Sequence, residues 1–377
     1  MPMSRSPVSG SEQSAIQALP SLPPHESPRI VLVLGGGNAL GAYHAGAYEQ
    51  LQGRGIQPNW IIGASIGAVT GAILAGNPPE RRLERLRQFW REATLHTSEL
   101  LPYSHVKARQ IYNGAHAVMA TLFGRPSIFR HRFPGLWSVF PWVPNDVALY
   151  DQSPLRDTLE RLIDFNLLNR AEVRFSAGCV DLETGNEVYF DNRQDEIRPE
   201  HIMASAAITP AFPPVEIGGR LLCDPGYTNN LPLDPPFAEP LDRDILCFAV
   251  ELFSLRSARP ASLDAVLERT NDLLFASHAR RSVRALQREF ELRERIEPKG
   301  PSATLIHMAY QAASHELAAK GFDFSPSSIA DRWAAGQRDM DSGLALLGGA
   351  AASARRFRYA TVASETAAAA AETGAAP

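Results

Sequence analysis

The chain has 377 residues, of which 45% are hydrophobic and 21% charged, and its formal net charge is −4. This balance is typical of an ordinary globular protein with one large domain or two smaller ones. It indicates no basic surface for a nucleic acid, so a nucleic-acid partner is not expected. No stretch contains the roughly 18 consecutive apolar residues that a membrane span needs.

The two ends of the chain indicate where the folded part begins and ends, and the N-terminus and the cysteines indicate the compartment. Residues 1–27 are rich in Ser and Pro and lack the apolar core of a signal peptide, so we expect a disordered arm on a cytoplasmic protein. Residues 358–377 form a low-complexity tail. The three cysteines are widely spaced, which favours buried thiols over a metal site or a disulfide.

Two strand–turn–helix units open the ordered part of the chain. Residues 30–34 are an unbroken apolar run, which predicts a strand buried on both faces of a parallel sheet. Glycines and a helix follow, and the helix should stop at Gly53 or Gly55. The run "NWIIGAS" then predicts a second buried strand, and residues 66–75 a second helix. This repeated order predicts an α/β layered fold with a mainly parallel sheet.

Residues 97–150 interrupt this regular pattern. They are irregular, rich in proline and aromatic, as in "LFGRPSIFRHRFPGLWSVFPW". So long a loop is uncommon inside a compact domain and often forms a lid or a binding surface. The sequence leaves open whether this insertion is a substrate-side cap or a structural addition.

Regular elements resume at residue 151. The runs "EVRFSAGCVD", "EVYFD" and "RDILCFAVEL" predict strands, and "PVEIGGRLLCD" predicts a hairpin. From about residue 260 the pattern is helical. We therefore expect a main domain over residues 28–255, which includes the insertion at 97–150, and a helical extension over 256–357.

Ser65 is the first candidate for chemistry. It is the centre of a G-x-S-x-G pentapeptide, Gly63 to Gly67, at the point where a strand passes into a helix. Such a turn exposes the hydroxyl in a strained conformation, and the helix N-terminus offers partial positive charge to a developing oxyanion. The alternative is a helix cap. The context favours a nucleophile.

A second glycine-rich turn lies one unit earlier, in "LGGGNALGAYHAG". Backbone N–H groups at such a turn can hold an anion. A dinucleotide site would need an acidic residue at the end of the next strand, but that strand ends in "IIGAS". An oxyanion hole beside the serine is the better interpretation.

A serine nucleophile needs a base, and two residues are candidates. Asp224 opens the Pro-Gly turn of "CDPGYTNNLPLD" directly after a predicted strand. Alone it would be interpreted as a turn residue. His278 fits a Ser–acid–His triad by chain order only, because the α/β-hydrolase fold places several strands before its serine.

Taken together, the glycine-rich loop, the serine turn and the aspartate turn resemble the motifs of the patatin-like phospholipase family. The resemblance covers residues 28–255 well, including "AGNPPERRLERLRQFW" and "MASAAITPAFPPVEI". It implies a three-layer α/β/α fold and a Ser–Asp dyad, with Ser65 as nucleophile and Asp224 as general base. No metal or organic cofactor is implied.

The same resemblance assigns the supporting residues. Backbone N–H groups of Gly36, Gly37 and Asn38 would form the oxyanion hole. The motif positions that would support the site are Gly35, Gly41, Gly63, Gly67, Pro225, Gly226 and Asn230. Three positions depart from the family pattern: Asn38 replaces a glycine, Leu40 replaces the usual Arg or Lys, and Pro225 replaces a glycine.

The resemblance implies an enzyme that cleaves carboxylic esters of lipids through an acyl-enzyme. Its substrate would be a lipid or another acyl ester with an apolar chain. The aromatic residues 123–142 are a candidate for peripheral contact with a membrane. The alternative is a catalytically inactive relative that binds a lipid or a partner.

Overall fold

The computed structural model describes residues 27–94, 105–238, 241–348 and 356–362. Nearly all of the expected N-terminal arm and most of the expected C-terminal tail lie outside these ranges. Among the described residues, no helix combines the length and the apolar character needed to cross a membrane.

The described residues form eleven strands, of which nine belong to one sheet and two form a small antiparallel pair. The strands are β1 (Arg29–Leu34), β2 (Trp60–Ala64), β3 (Arg130–His131), β4 (Tyr150–Asp151), β5 (Arg174–Asp181), β6 (Glu187–Asp191), β7 (Val215–Ile217), β8 (Arg220–Cys223), β9 (Ile245–Glu251), β10 (Ala303–Ala309) and β11 (Phe357–Thr361).

The helices that cover the sheet vary from four to 34 residues. They are α1 (Ala42–Gly53), α2 (Ile66–Ala75), α3 (Pro79–Ala93), α4 (Val106–Phe123), α5 (Ser153–Leu162), α6 (Phe165–Asn169), α7 (Pro199–Ser205), α8 (Gly226–Asn229), α9 (Pro235–Ala238), α10 (Leu263–Ile296) and α11 (Pro326–Gly348). Single 3₁₀ turns occur at Asn38–Gly41, Gly135–Val139 and Lys320–Phe322.

The large sheet has the strand order β11-β10-β9-β1-β2-β5-β8-β7, with β6 also paired to β5. Its first six strands are parallel, and β6, β7 and β8 form an antiparallel edge. One hydrophobic cluster packs α1, α2 and α11 on one face, and a second packs α10 on the other. The expected three-layer α/β fold with a mainly parallel sheet is therefore confirmed.

The C-terminal part of the chain is not the purely helical extension that the sequence predicted. Helices α10 and α11 are present, but residues 303–309 and 357–361 are strands, and β10 pairs in parallel with β9 along its whole length. The short run "ATLIHMA" becomes a strand because its pairing partner, β9, lies some fifty residues earlier in the chain. The division at residue 255 thus falls between adjacent strands of one sheet, and β11 uses residues that we expected in the tail.

The insertion at 97–150 is also more regular than expected. Residues 106–123 form α4, whereas residues 95–104 lie outside the described part of the chain. The helix escapes recognition because several of its apolar side chains, such as Ile111 and Phe123, are exposed and do not mark a buried face. Residues 124–149 remain largely irregular, as expected.

Candidate active site

Ser65 lies at the turn between β2 and α2 and has a strained backbone. Its φ of 57° and ψ of −127° are unusual for a residue other than glycine. The backbone N–H donates to Oγ of Ser205, a fully buried side chain, over 3.1 Å. A residue whose backbone is held in so rare a conformation by a buried partner is typical of a functional position rather than of an ordinary helix cap.

The flanking glycines permit this turn to pack against its neighbours. A Cβ at Gly67 would lie 2.1 Å from the carbonyl oxygen of Leu34, and one at Gly63 would lie 2.4 Å from the nitrogen of Ala68. Both obstacles are backbone atoms, which cannot move aside. The two glycines therefore bring Ser65 close to the end of β1, where the glycine-rich loop begins.

Asp224 follows β8 and is only 3% exposed. Its Oδ1 accepts a hydrogen bond of 2.8 Å from the N–H of Gly226, and Pro225 precedes the short helix α8. Burial raises the pKa of Asp224 to about 7, although the nearby hydroxyl of Ser65 and the N–H of Gly226 lower it in part. The Ser65 hydroxyl is thus a neighbour of the carboxyl group, while Oδ2 has no hydrogen bond of normal geometry in the described structure.

The backbone N–H groups of the glycine-rich loop fall into two pairs: one pair already has acceptors among the described residues, and the other pair does not. The N–H of Gly35 donates to the carbonyl of Val250, and the N–H of Gly36 donates to the carbonyl of Asn230, each over 3.0 Å. Gly36 is therefore not available to an oxyanion, contrary to the sequence-based expectation. The N–H groups of Gly37 and Asn38 donate to no described residue. Asn38 adopts the left-handed φ of 52° that asparagine tolerates.

Asn230 connects this loop to the aspartate turn. Its side-chain Nδ2 donates to the carbonyl of Gly36 over 3.2 Å, so Gly36 is bound through both its N–H and its C=O. A Cβ at Gly36 would lie 3.0 Å from Cβ of Ser65. The three predicted motifs are therefore brought to one place.

His278 has no such connection. It lies on α10, and burial lowers its pKa, with smaller effects from Arg281 and Glu187. No interaction joins it to Ser65 or Asp224 among the described residues. The geometry favours Asp224 as the partner of the serine.

Arg332 is a site residue that the sequence did not reveal. It is fully buried in α11, pairs with Glu316 over 3.0 Å, and donates to the carbonyl of Ala39 over 3.3 Å. Its guanidinium also binds the carbonyls of Lys320 and Asp323. It thus ties the glycine-rich loop, which is the expected oxyanion loop, to the segment before α11. The only sequence signal is one arginine within the apolar face that includes Ile329 and Trp333.

Helix α4 and the segment after it expose a group of apolar side chains. We use the name outer apolar surface for the exposed side chains of α4 and the segment after it: Ile111, Val118, Met119, Leu122, Phe123, Phe133, Leu136, Trp137, Phe140 and Trp142. Trp137 and Trp142 each stack on Phe140. Phe129, which lies between these two groups in the chain, contacts Phe322, and a Cβ at the neighbouring Gly321 would lie 3.8 Å from the carbonyl oxygen of Gly37.

Comparison with known proteins defines the class. A family model described as patatin-like phospholipase matches residues 32–237, which is more than half of the chain. A second model, described as patatin phospholipase, matches residues 281–347. The chain belongs to the patatin-like phospholipase family.

Individual relatives are distant. An uncharacterised NTE family protein of Mycobacterium tuberculosis is 25% identical over 209 residues, which cover 55% of this chain and 46% of that protein. The neuropathy target esterase sws of Drosophila melanogaster is 25% identical over 213 residues, 54% of this chain and 12% of that protein. The match thus spans less than half the length of these relatives. VipD from Legionella pneumophila has a TM-score of 0.41 at 14% identity, covering 85% of this chain and 68% of that one.

Proposed function

We propose that the protein is a serine acyl hydrolase in which Ser65 and Asp224 form a catalytic dyad. The observation that supports this most directly is the buried carboxyl group of Asp224, with a pKa of about 7, beside a serine in a strained turn at the start of a helix. A base works best when its pKa is near the working pH. An aspartate with an ordinary pKa near 4 would be a weak base for an alcohol.

In the first half of the reaction, Asp224 accepts the proton of the Ser65 hydroxyl as Oγ attacks the ester carbonyl. The tetrahedral intermediate collapses to an acyl-enzyme, and the proton passes from Asp224 to the departing alkoxide. In the second half, Asp224 takes a proton from water, the hydroxide attacks the acyl carbonyl, and the proton returns to Ser65 as the carboxylic acid leaves. The enzyme ends in its starting state.

The N–H groups of Gly37 and Asn38 are suited to bind the oxyanion in both halves. They have no acceptor in the described structure, and the N-terminus of α2 lies beside the nucleophile. Preorganised donors of this kind stabilise charge that develops in the transition state. Leu40, where the family usually has Arg or Lys, is fully buried and leaves the loop without its own cation.

A lipid ester is the substrate class that the surroundings favour, with the outer apolar surface in peripheral contact with a membrane. Exposed tryptophan and phenylalanine side chains are typical of the membrane interface. Arg109, Arg130 and Arg132 pair with acidic residues, so aromatic insertion rather than charge should dominate binding.

The dyad is tested by hydrolysis of p-nitrophenyl esters of increasing acyl length. Ser65→Ala and Asp224→Asn should each lower kcat/KM by at least about a thousandfold, and a fluorophosphonate should label the wild type but not Ser65→Ala. The kcat/KM of the wild type should rise with pH up to about 7. His278→Ala is the matched control and should retain activity. Lipid binding without any turnover in the wild type would instead identify a binding protein.

The membrane contact is tested with liposomes. Trp137→Ser/Trp142→Ser should weaken liposome binding several-fold without changing hydrolysis of a soluble ester, because both side chains are exposed. Unchanged liposome binding would refute this contact. Leu292→Ser, an exposed apolar residue on α10, serves as the control.

A further inference from the structure

A cavity lies at the carboxyl ends of β9, β10 and β11, beneath α10. Its volume is about 390 Å³, which is within the range of small-molecule sites. The catalytic mechanism uses none of the side chains that line it. Its floor is formed by Glu251, His307 and Tyr359, one from each of the three strands.

The floor of this cavity is a hydrogen-bonded chain with one unused oxygen. Nε2 of His307 lies 2.9 Å from Oε2 of Glu251, and Nδ1 lies 3.0 Å from the hydroxyl of Tyr359. Glu251 is only 1% exposed, and its Oε1 has no hydrogen-bond partner among the described residues. A buried carboxylate oxygen without a donor is costly. A ligand with a hydroxyl or amine group would satisfy it.

The rim of the same cavity is strongly basic. Arg256, Arg280 and Arg284 line it, all three are exposed, and none forms an ion pair with a described residue. Arginine side chains left without carboxylate partners around one cavity are suited to phosphate, which they bind through paired N–H groups. The walls between rim and floor include Val283 and Ala309, which fit a short carbon skeleton.

We infer that this cavity binds a small organic phosphate whose phosphoryl group contacts the three arginines and whose hydroxyl or amine donates to Oε1 of Glu251. The same chemistry occurs in free phosphate esters and in phospholipid headgroups. The site is separate from the dyad, because it is built on the ends of β9, β10 and β11 and on α10 rather than on the loops that hold Ser65 and Asp224.

The position of the cavity connects it to the oxyanion loop. Val250, one residue before Glu251, accepts the N–H of Gly35, and a Cβ at Gly37 would lie 2.8 Å from Cδ1 of Leu252, the residue after Glu251. A ligand that holds the end of β9 would therefore influence the loop. This effect on turnover rests on the proposed ester hydrolysis, whereas binding of the ligand does not.

Binding is measured by titration calorimetry on the Ser65→Ala protein, so that the result is independent of turnover. The ligands are glycerol 3-phosphate, phosphoethanolamine, inorganic phosphate and glycerol. We expect both esters to bind at least about tenfold more tightly than inorganic phosphate, which cannot reach Glu251 while held at the rim, and glycerol not to bind. Equal binding of inorganic phosphate would overturn the role of Glu251.

Variants assign the contacts. Arg280→Gln/Arg284→Gln should weaken binding of both esters by at least about tenfold, whereas Arg288→Gln, an exposed arginine of the same helix outside this cavity, should not. Glu251→Met removes the acceptor oxygens and should abolish the preference for esters over inorganic phosphate. If Glu251→Met unfolds, the arginine pair decides the question alone. Unchanged affinity in the arginine double variant would overturn the site.

Vesicles distinguish the two sources of the phosphoryl group. Binding of soluble esters that depends on Arg280 and Arg284 assigns the cavity to a free organic phosphate. If only vesicles of phosphatidylethanolamine bind in this arginine-dependent way, the ligand is a lipid headgroup. If neither esters nor vesicles show arginine-dependent binding, the proposal is wrong.

Discussion

The first two strand–helix units and the last two strands of the sheet differ in how their structure arises. In residues 29–75, every strand and helix ends within a residue or two of its sequence-based prediction, because glycines and apolar runs act locally. In residues 303–361, β10 forms because β9 provides a pairing edge, and β11 in turn pairs with β10. The turn that holds Ser65 can thus be recognised from a few adjacent residues, whereas these two strands cannot.

The largest expected effect tests whether the two regions form one folding unit. Gly46 of α1 and Gly336 of α11 allow these helices to touch through their backbones, since a Cβ at Gly336 would lie 2.1 Å from the carbonyl oxygen of Tyr43. Gly336→Ala should therefore destabilise the whole domain by several kcal/mol, as Gly67→Ala should, in urea unfolding.

The control for this pair is Gly53→Ala, where a Cβ would meet no atom within 4 Å. It should be neutral or slightly stabilising. A Gly336→Ala protein whose residues 29–75 unfold as in the wild type would show that the C-terminal part is a separate folding unit.

The next effect concerns Arg332. Arg332→Met leaves Glu316 buried and without its ion pair, which should cost about 3–5 kcal/mol. The double variant Arg332→Met/Glu316→Gln should recover much of that stability but not the hydrogen bond to Ala39. Its kcat should remain low while its KM changes little, because the oxyanion loop is less well held. Full recovery of kcat in the double variant would show that Arg332 acts on stability alone.

A smaller effect concerns the free energy of unfolding that is lost when the buried carboxyl group of Asp224 ionises. Its pKa is raised in the folded protein to about 7, so the folded state binds the proton more tightly than the unfolded state, and stability is lost as pH rises from about 4 to 7. Asp224→Asn removes this loss. In thermal unfolding at pH 8, the free energy of unfolding of the variant should exceed that of the wild type by up to about 4 kcal/mol. This difference should vanish near pH 4.

A carboxylate in a different environment provides the control for that measurement. Asp242 is exposed, and hydrogen bonding to Arg243 lowers its pKa. Asp242→Asn should therefore show no increase in the free energy of unfolding at pH 8. A gain for Asp224→Asn that is equal at pH 4 and pH 8 would refute the elevated pKa.

The smallest expected effect connects the C-terminal part to the pKa of Asp224. Phe275 of α10 lies against the aspartate turn: its ring stacks on Tyr227, and a Cβ at Gly226 would be 3.3 Å from it. Phe275→Ala should admit water and lower the pKa of Asp224, moving the midpoint of the kcat/KM profile down by roughly one pH unit. Leu274→Ala, an exposed neighbour, should leave the midpoint unchanged.

These residues show what the sequence could and could not predict. Ser65 lies within a short motif whose glycines are required by backbone contacts. The aspartate turn likewise lies within a short run of adjacent residues, so the residues themselves carried the signal. The raised pKa of Asp224, the occupied N–H of Gly36 and the bond from Arg332 to Ala39 all depend on segments distant in the chain. No local pattern encodes such contacts. Helix α4 was missed because its outer face is apolar.

The continuity of the sheet across residue 255 has a practical consequence for dissecting the protein. A fragment that stops there would keep all three motifs, but β9 would lose the strand that pairs with it from Ile245 to Glu251. An apolar strand with an open edge is a template for pairing with other chains. Such a truncated protein would therefore aggregate through β9, although the truncation removes neither the serine nor the aspartate.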